Sequence, residues 1–137
     1  MGWESFNVKD VDTSPKPITP GTYTLQLTGA FDSKYQAGQT DVLFRIVGDT
    51  PEAGKSVRLQ IPDIDERPWA GELYANLVSK LGADVEAYAH PRDVLMKCAG
   101  NGHNRIQARV YTKTFTKSDG TEGWRDEIAG RSIRASV

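Results

Sequence analysis

The sequence predicts a mostly β domain in which five antiparallel strands carry one helix between the third and the fourth. Three observations support this fold class. Several segments alternate apolar and polar residues with a period of two, one segment repeats leucine at helical spacing, and the regular alternation of helices and strands that is typical of a parallel α/β sheet is missing. A chain of 137 residues is about the size of one domain.

The first half of the chain predicts three strands. The first runs from Gly21 to Thr28, the second over residues 40–47 and the third over residues 55–61, each with apolar residues at every second position. A polar loop over residues 32–39 and a segment rich in turn-forming residues over 48–54 separate them. The alternation predicts that each strand buries one face and exposes the other.

A helix is predicted to follow over residues 68–81. Pro68 suits a first helical turn, and Leu73, Leu77 and Leu81 recur at intervals of four, which places them on one apolar stripe. Gly82 is positioned to end the helix. Residues 83–103 are ambiguous: residues 93–98 are compatible with a helical turn or two, and residues 100–102 indicate a break.

Two further strands are predicted to form a hairpin, over residues 104–117 and 124–133, with Asp119 and Gly120 as its turn. The resulting order, β-β-β-α-β-β, is the chain order of an OB-fold, a five-stranded and partly open antiparallel barrel. A β-sandwich with a helical insert is the main alternative. Because Pro15, Pro17 and Pro20 interrupt regular structure, we expect residues 1–20 to form a flexible arm and residues 21–137 to form the single domain.

Composition and charge exclude several classes of protein. Lys and Arg number 17 against 18 Asp and Glu, which excludes a strongly basic protein that coats duplexes. Cys98 is the only cysteine, so no intramolecular disulfide can form, and we expect a small buried thiol in a reducing compartment. No apolar run is long enough to span a bilayer, and residues 1–10 lack the pattern of a signal peptide. These features predict a cytoplasmic protein.

No catalytic constellation is recognisable. His90 and His103 both lie in predicted loops, and two histidines with one cysteine do not make up a zinc site without carboxylates. Sequence motifs for nucleophilic hydrolases and for phosphate-binding loops are missing. We therefore expect no enzyme, no metal and no cofactor.

The most informative segment is the predicted strand over residues 105–117, which carries four cations and no acid. If the apolar residues at alternate positions face the core, the other face presents to solvent Arg105, Gln107, Arg109, Tyr111, Lys113, Phe115 and Lys117. Cations can contact phosphates and exposed rings can stack on unpaired bases. This face therefore predicts binding of single-stranded nucleic acid.

A purely structural interpretation of the same hairpin stays open. A two-residue turn at Asp119-Gly120 would place three pairs directly opposite each other: Lys117 with Glu122, Phe115 with Trp124, and Lys113 with Asp126. Opposite charges across a strand pair stabilise a hairpin without any ligand. A three-residue turn would change which residues share a face, and the sequence leaves the two turns open.

Two other regions extend the candidate site. The loop after the first strand carries Lys34 and Tyr35 close to Phe31, where an OB-fold has one of its ligand-binding loops, and the hairpin supplies the other loop. Arg45 and Arg58 have outward parity on the second and third strands. The candidate nucleic-acid-binding residues are thus Lys34, Tyr35, Arg45, Arg58, Arg109, Tyr111, Lys113, Phe115, Lys117 and Trp124.

A family resemblance agrees with this prediction. The chain resembles a bacteriophage-encoded family that lies beside recombination and replication genes, through Gly21-Thr22-Tyr23-Thr24-Leu25, Ser33-Lys34, Gly38-Gln39, Leu43-Phe44-Arg45-Ile46 and Gly54-Lys55-Ser56-Val57. The resemblance implies a single-stranded DNA-binding protein, with recombination or replication proteins as candidate partners. Further copies of the chain are another candidate partner. The alternative is a structural or protein-interaction β-domain of a phage, such as an accessory or virion protein.

Overall fold

The secondary structure is dominated by strands. The computed structural model describes residues 3–7, 9, 16–84, 89–102 and 104–136. Within these residues it forms β1 (Gly21–Asp32), β2 (Thr40–Val47), β3 (Ser56–Ile61), α1 (Trp69–Leu81), α2 (Pro91–Asn101), β4 (Arg105–Thr116), β5 (Glu122–Ile128) and β6 (Arg134–Ala135). Short 3₁₀ turns form at Trp3–Ser5 and Gly130–Ser132.

The described strands form one mixed, six-stranded sheet that closes partly into a ring. Its order is β1-β2-β3-β5-β4-β6, and β1 also pairs with β4. All pairings are antiparallel except that between β3 and β5, which is parallel and joins Arg58 to Glu127. Because the described strands belong to one sheet, the alternative of two packed sheets in a sandwich is not supported.

The predicted five-stranded, wholly antiparallel sheet is therefore wrong in two respects. The short strand β6 adds a sixth member beside β4. The parallel pair follows from geometry, since a ring of five strands cannot alternate direction throughout and one neighbouring pair must run the same way. In this chain β1 and β3 share a direction, β5 runs opposite to β4, and the ring closes with β3 parallel to β5.

The core fills the inside of the ring, and the predicted alternation is confirmed. Inward-facing side chains of β2, β3 and β4 are all buried: Val42, Phe44, Ile46, Val57, Leu59, Ile61, Ile106, Ala108 and Val110. In α1, Leu77, Val78 and Leu81 are buried, and the helix ends at Gly82 in a left-handed conformation (φ +74°). The predicted helix and its terminating glycine are thus confirmed.

The second helix, α2, corrects the prediction of a single helix. Pro91 opens it, His90 caps it by accepting a hydrogen bond on Nδ1 from the Arg92 N–H (3.1 Å), and Gly102 follows its end. Cys98 lies on the buried face of this helix, and burial raises the pKa of its thiol, as expected for an apolar core residue rather than a nucleophile. His103 lies outside the described residues. Among the described helices, none is both long and apolar enough to cross a membrane.

The segment before β1 is partly fastened to the domain, which corrects the predicted arm boundary at residue 20. Ile18 belongs to the core, with only 2% of its surface exposed. Its N–H donates to a carboxylate oxygen of Asp126 on β5 (3.1 Å). By contrast, Trp3 and Phe6 are exposed and contact each other edge to face, with 5.3 Å between ring centroids. Pro15 and most of its neighbours lie outside the described residues.

The β1–β2 loop packs closely against the segment before α1, and the contact is made at Gly38. This glycine has φ +77°, and a Cβ built on it would lie 2.5 Å from Oδ2 and 2.9 Å from Cβ of Asp63. Gly38→Ala is therefore expected to cost ~1–2 kcal/mol for the left-handed backbone and further free energy for displacing Asp63. Chemical unfolding of the variant measures the loss.

The control for this prediction is Gly54→Ala. Gly54 also has positive φ (+91°), but no atom lies within 4 Å of the position that its Cβ would occupy. The control therefore carries the backbone cost alone. Equal destabilisation by the two variants would show that the β1–β2 loop is not held by Asp63.

Candidate functional site

The tip of the β4–β5 hairpin is a three-residue loop, Ser118, Asp119 and Gly120. The Lys117 N–H donates to the Thr121 carbonyl (2.7 Å), and the Gly120 N–H donates to the Lys117 carbonyl (3.0 Å). Gly120 has φ +85°, which fits a type I turn that ends in a left-handed residue. The Asp119 carboxylate accepts from the Thr121 hydroxyl (2.6 Å) and N–H (3.0 Å), and these bonds lower the pKa of Asp119.

This longer loop moves the strand register by one residue relative to a two-residue turn. Phe115 lies opposite Gly123, Lys113 opposite Arg125, and Trp124 opposite Thr114. The pairs expected for a two-residue turn, Phe115 with Trp124 among them, are therefore not formed. Because a shift of one residue reverses the face on which each side chain lies, Trp124 lies on the opposite face of the hairpin from Phe115.

One face of the hairpin, which we call the basic face, carries Tyr111, Lys113 and Phe115 of β4, Lys117 directly after β4, and Arg125 of β5. The Phe115 ring covers the backbone of Gly123, where an added Cβ would lie 2.7 Å from the ring atom Cζ. The Arg125 guanidinium carbon lies 5.9 Å from the ring centroid, within cation–π range. Since 42% of Phe115 remains exposed, the ring is held in place and still offers surface to a ligand.

Glu127 orders two members of the basic face. Its Oε1 accepts from Arg125 Nε (2.6 Å), and its Oε2 accepts from the Tyr111 hydroxyl (2.8 Å). The hydrogen bond to this carboxylate is the main reason that the pKa of Tyr111 is raised, with desolvation second. At neutral pH the Tyr111 hydroxyl is therefore a neutral donor fixed towards Glu127.

The basic face continues on the outer surface of the ring, from β5 to β3 and β2. Arg58 lies opposite Glu127 on one side and opposite Leu43 on the other, and its Nη1 is 3.8 Å from Oδ2 of Asp41. Arg45 lies two residues along β2 from Leu43, between Gln26 and Ser56. Arg45 is exposed and forms no ion pair with any described residue. Exposed arginines thus extend the basic face over two further strands.

Not every predicted site residue joins this surface. Tyr35 (93% exposed) and Lys34 lie in the β1–β2 loop, where the Tyr35 N–H donates to the Ser33 hydroxyl (3.3 Å). Trp124 lies on the other face of the hairpin. Arg109 shares the outward side of β4 with Tyr111, two residues away, at the point where β4 passes from β5 to β1, opposite Thr22. The structure thus brings together Arg45, Arg58, Arg109, Tyr111, Lys113, Phe115 and Lys117.

A groove of about 890 Å³ adjoins the basic face, between α1 and the parallel pair β3–β5. Arg58 and Arg125 line both surfaces, while Trp69 and Arg131 line the groove alone. Sequence reasoning missed Arg125, Trp69 and Arg131. A three-residue turn would have placed Arg125 on the basic face, whereas Trp69 lies four residues before Leu73 on the helical stripe and therefore resembled a core residue.

Side chains of the types that ligate metals are scattered among the described residues. In these parts of the chain, no group of three or more His, Cys, Asp or Glu side chains is placed to hold a metal ion. The arrangement is instead one of exposed rings and cations on ordered strands. Comparison with known proteins adds no family: no protein-family model matches the sequence, and no curated protein matches it closely enough to count as a relative.

Proposed function

We propose that this chain binds single-stranded DNA, without sequence preference and without catalysing a reaction, in the replication or recombination of a bacteriophage. Its site of action is then the cytoplasm of the bacterial host, with recombination or replication proteins and further copies of the chain as candidate partners. The observation that carries the proposal is the basic face, on which two exposed lysines flank a fixed phenylalanine ring.

The strand ring supports the proposal at the level of fold. We propose that it is an OB-fold, because the order β1-β2-β3-β5-β4, the return of β4 to β1 and a helix between β3 and β4 resemble that barrel. OB-folds bind oligonucleotides on the face of strands 2 and 3 and on the loops between strands 1–2 and 4–5. Here those regions carry Arg45 and Arg58, Lys34 and Tyr35, and the hairpin tip.

The charge distribution also favours a backbone ligand. Lys113 and Lys117 are exposed and form no ion pair with any described residue, so both are available to phosphates. Arg58 and Arg125 are partly neutralised by Asp41 and Glu127. Contacts of this kind, with rings that stack on any base, give affinity without sequence recognition.

The same two carboxylates support a second candidate function. The Glu127–Arg125 pair and the contact of Phe115 with Gly123 contribute to the stability of the hairpin. The Asp41–Arg58 pair joins β2 to β3 in the same way. A structural or protein-interaction domain of a phage would need no more than this. Binding measurements separate the two candidates.

Binding of fluorescent oligo-dT, followed by anisotropy over a range of salt concentrations, tests the proposal. If ~3–4 phosphates are contacted, log K should fall with log salt with a slope of roughly −2 to −3, at ~0.7 per phosphate for single strands. Mixed-sequence single strands should bind within about tenfold of oligo-dT, and duplex more weakly. Salt-independent binding or a preference for duplex would contradict the proposal and favour the interaction domain.

Lys113→Ala and Lys117→Ala refine this test. Each should reduce the magnitude of the salt slope by ~0.7 if it removes one phosphate contact. Lys55→Ala is the matched control, because Lys55 lies in the turn before β3 and its Nζ is paired with Glu52 (2.6 Å). An unchanged slope in both test variants would remove the hairpin lysines from the interface.

A further inference from the structure

Trp69 is an exposed aromatic residue at the start of a rigid element. It is the first residue of α1, and 53% of its surface is accessible, although its neighbour Ala70 is buried. Backbone bonds from Ala70 to Arg67 (2.9 Å) and from Gly71 to Pro68 (3.2 Å) fix the first turn around it. A large, ordered and exposed indole offers a flat apolar surface whose role the fold does not explain.

The groove beside Trp69 combines the groups that a nucleotide requires. Gln60 on β3 and Asn76 on α1 bring amide donors and acceptors, and the guanidinium groups of Arg58 and Arg131 lie along the same walls. Amides suit the hydrogen-bonding edges of bases, and arginines suit phosphate oxygens. The volume of about 890 Å³ lies within the range of small-molecule sites.

Two of the three carboxylates that line the groove already accept hydrogen bonds from other residues. Asp126 accepts from the Ile18 N–H (3.1 Å) and from the Thr112 hydroxyl (3.0 Å). Glu127 accepts from Arg125 and Tyr111, as described above. Glu72 is exposed and is the one remaining acid of the lining. Three arginines of the same lining, Arg58, Arg125 and Arg131, balance these three carboxylates, so the groove has no net negative charge to repel a phosphate.

We propose that this groove receives a base of the bound single strand, stacked on Trp69, so that the interface has two stacking stations. Phe115 is the first station and Trp69 the second, and Arg125 and Arg58 line the surface between them. Continuity with the basic face is what favours a DNA strand over an unrelated small molecule. The inference rests on the proposed function and assigns the path of the strand across the molecule.

A single-tryptophan protein tests the second station directly. With Trp3 and Trp124 both replaced by phenylalanine, Trp69 is the only indole, and titration with an oligo-dT of about 12 nucleotides should quench its emission as bases stack on it. An oligonucleotide of the same length without bases should leave the emission unchanged. Emission that oligo-dT does not alter, although anisotropy shows binding, would overturn the inference and leave the proposed function standing.

Affinity measurements on the otherwise unaltered chain give the second readout. Trp69→Ala should weaken oligo-dT binding by roughly 5- to 150-fold, the equivalent of ~1–3 kcal/mol for one stacked base, and Trp69→Phe should restore most of it. Trp3→Ala is the matched control, since Trp3 is 83% exposed and does not line the groove.

Two further measurements keep the failures distinguishable. If Trp69→Ala lowers the melting temperature, Arg131→Ala replaces it as the test, because Arg131 is exposed. The Arg131→Ala variant should bind oligo-dT more weakly and reduce the magnitude of the salt slope by ~0.7. Unchanged affinity in both variants would overturn the groove inference. Absence of oligo-dT binding by the unaltered chain would instead overturn the proposed function, and the groove inference with it.

Discussion

Phe115→Ala is expected to weaken binding of oligo-dT by ~1–3 kcal/mol, about 5- to 150-fold, because it removes a ring on which a base can stack. Stability should change less, by roughly 0.2–1 kcal/mol, since the ring is partly exposed and its contacts are with the backbone of Gly123 and with Arg125 across the strand pair. Anisotropy titration and chemical unfolding of the same preparations measure both quantities.

The matched controls for this prediction lie on the same hairpin. Trp124→Ala removes an aromatic ring of similar exposure from the opposite face and is expected to leave affinity within about twofold. Gly123→Ala keeps Phe115 but introduces a Cβ that would lie 2.7 Å from Cζ of the ring, so it should weaken binding by displacing the ring. Equal losses in Phe115→Ala and Trp124→Ala would show that the strand does not follow the basic face.

The contrast between Phe115 and Trp124 depends on one residue of turn length. The sequence Ser118-Asp119-Gly120 supports either a two-residue or a three-residue loop, and both place Gly120 at a position that tolerates positive φ. The hydrogen bonds of Asp119 to Thr121 stabilise the longer loop. These local bonds leave no signal in the alternation of apolar and polar residues, so alternation alone cannot choose between the two registers.

Most of the ring was predictable from residue alternation, but its closure was not. Period-two patterns report which face of a strand is buried, and they placed Phe44, Leu59 and Val110 inside correctly. They do not report direction or partner. The parallel contact between Arg58 and Glu127 arises only when five strands close on one another, which is a property of the assembled ring.

The helix α2 and the groove were missed for different reasons. The signals for α2 were present in Pro91 and Gly102, but its buried stripe is short, with Val94, Leu95 and Cys98 as its buried residues. The groove needs residues from β3, α1 and β5 that are distant in sequence, so no local pattern contains it. Trp69 in particular follows the spacing of the core stripe and is nevertheless exposed.

The segment before β1 gives the largest expected change in stability. Ile18→Ala is expected to lower the free energy of unfolding by ~2–5 kcal/mol, because the side chain is 2% exposed and its truncation leaves a cavity in the core. The Ile18 N–H donates to the Asp126 carboxylate, which also accepts from the Thr112 hydroxyl, so the segment is held against β5 and β4 and relaxation into the cavity is restricted. Urea unfolding measures the loss.

Phe6→Ala is the control that locates the boundary of the domain. Phe6 is half-exposed and its ring contacts the still more exposed Trp3, so this variant should stay within about 0.5 kcal/mol of the unaltered chain. If the two variants unfold at the same denaturant concentration, Ile18 is not a core residue and the domain begins at β1. If Ile18→Ala alone is destabilised, the domain includes the segment around Ile18, and any truncation intended to isolate the folded domain has to retain it.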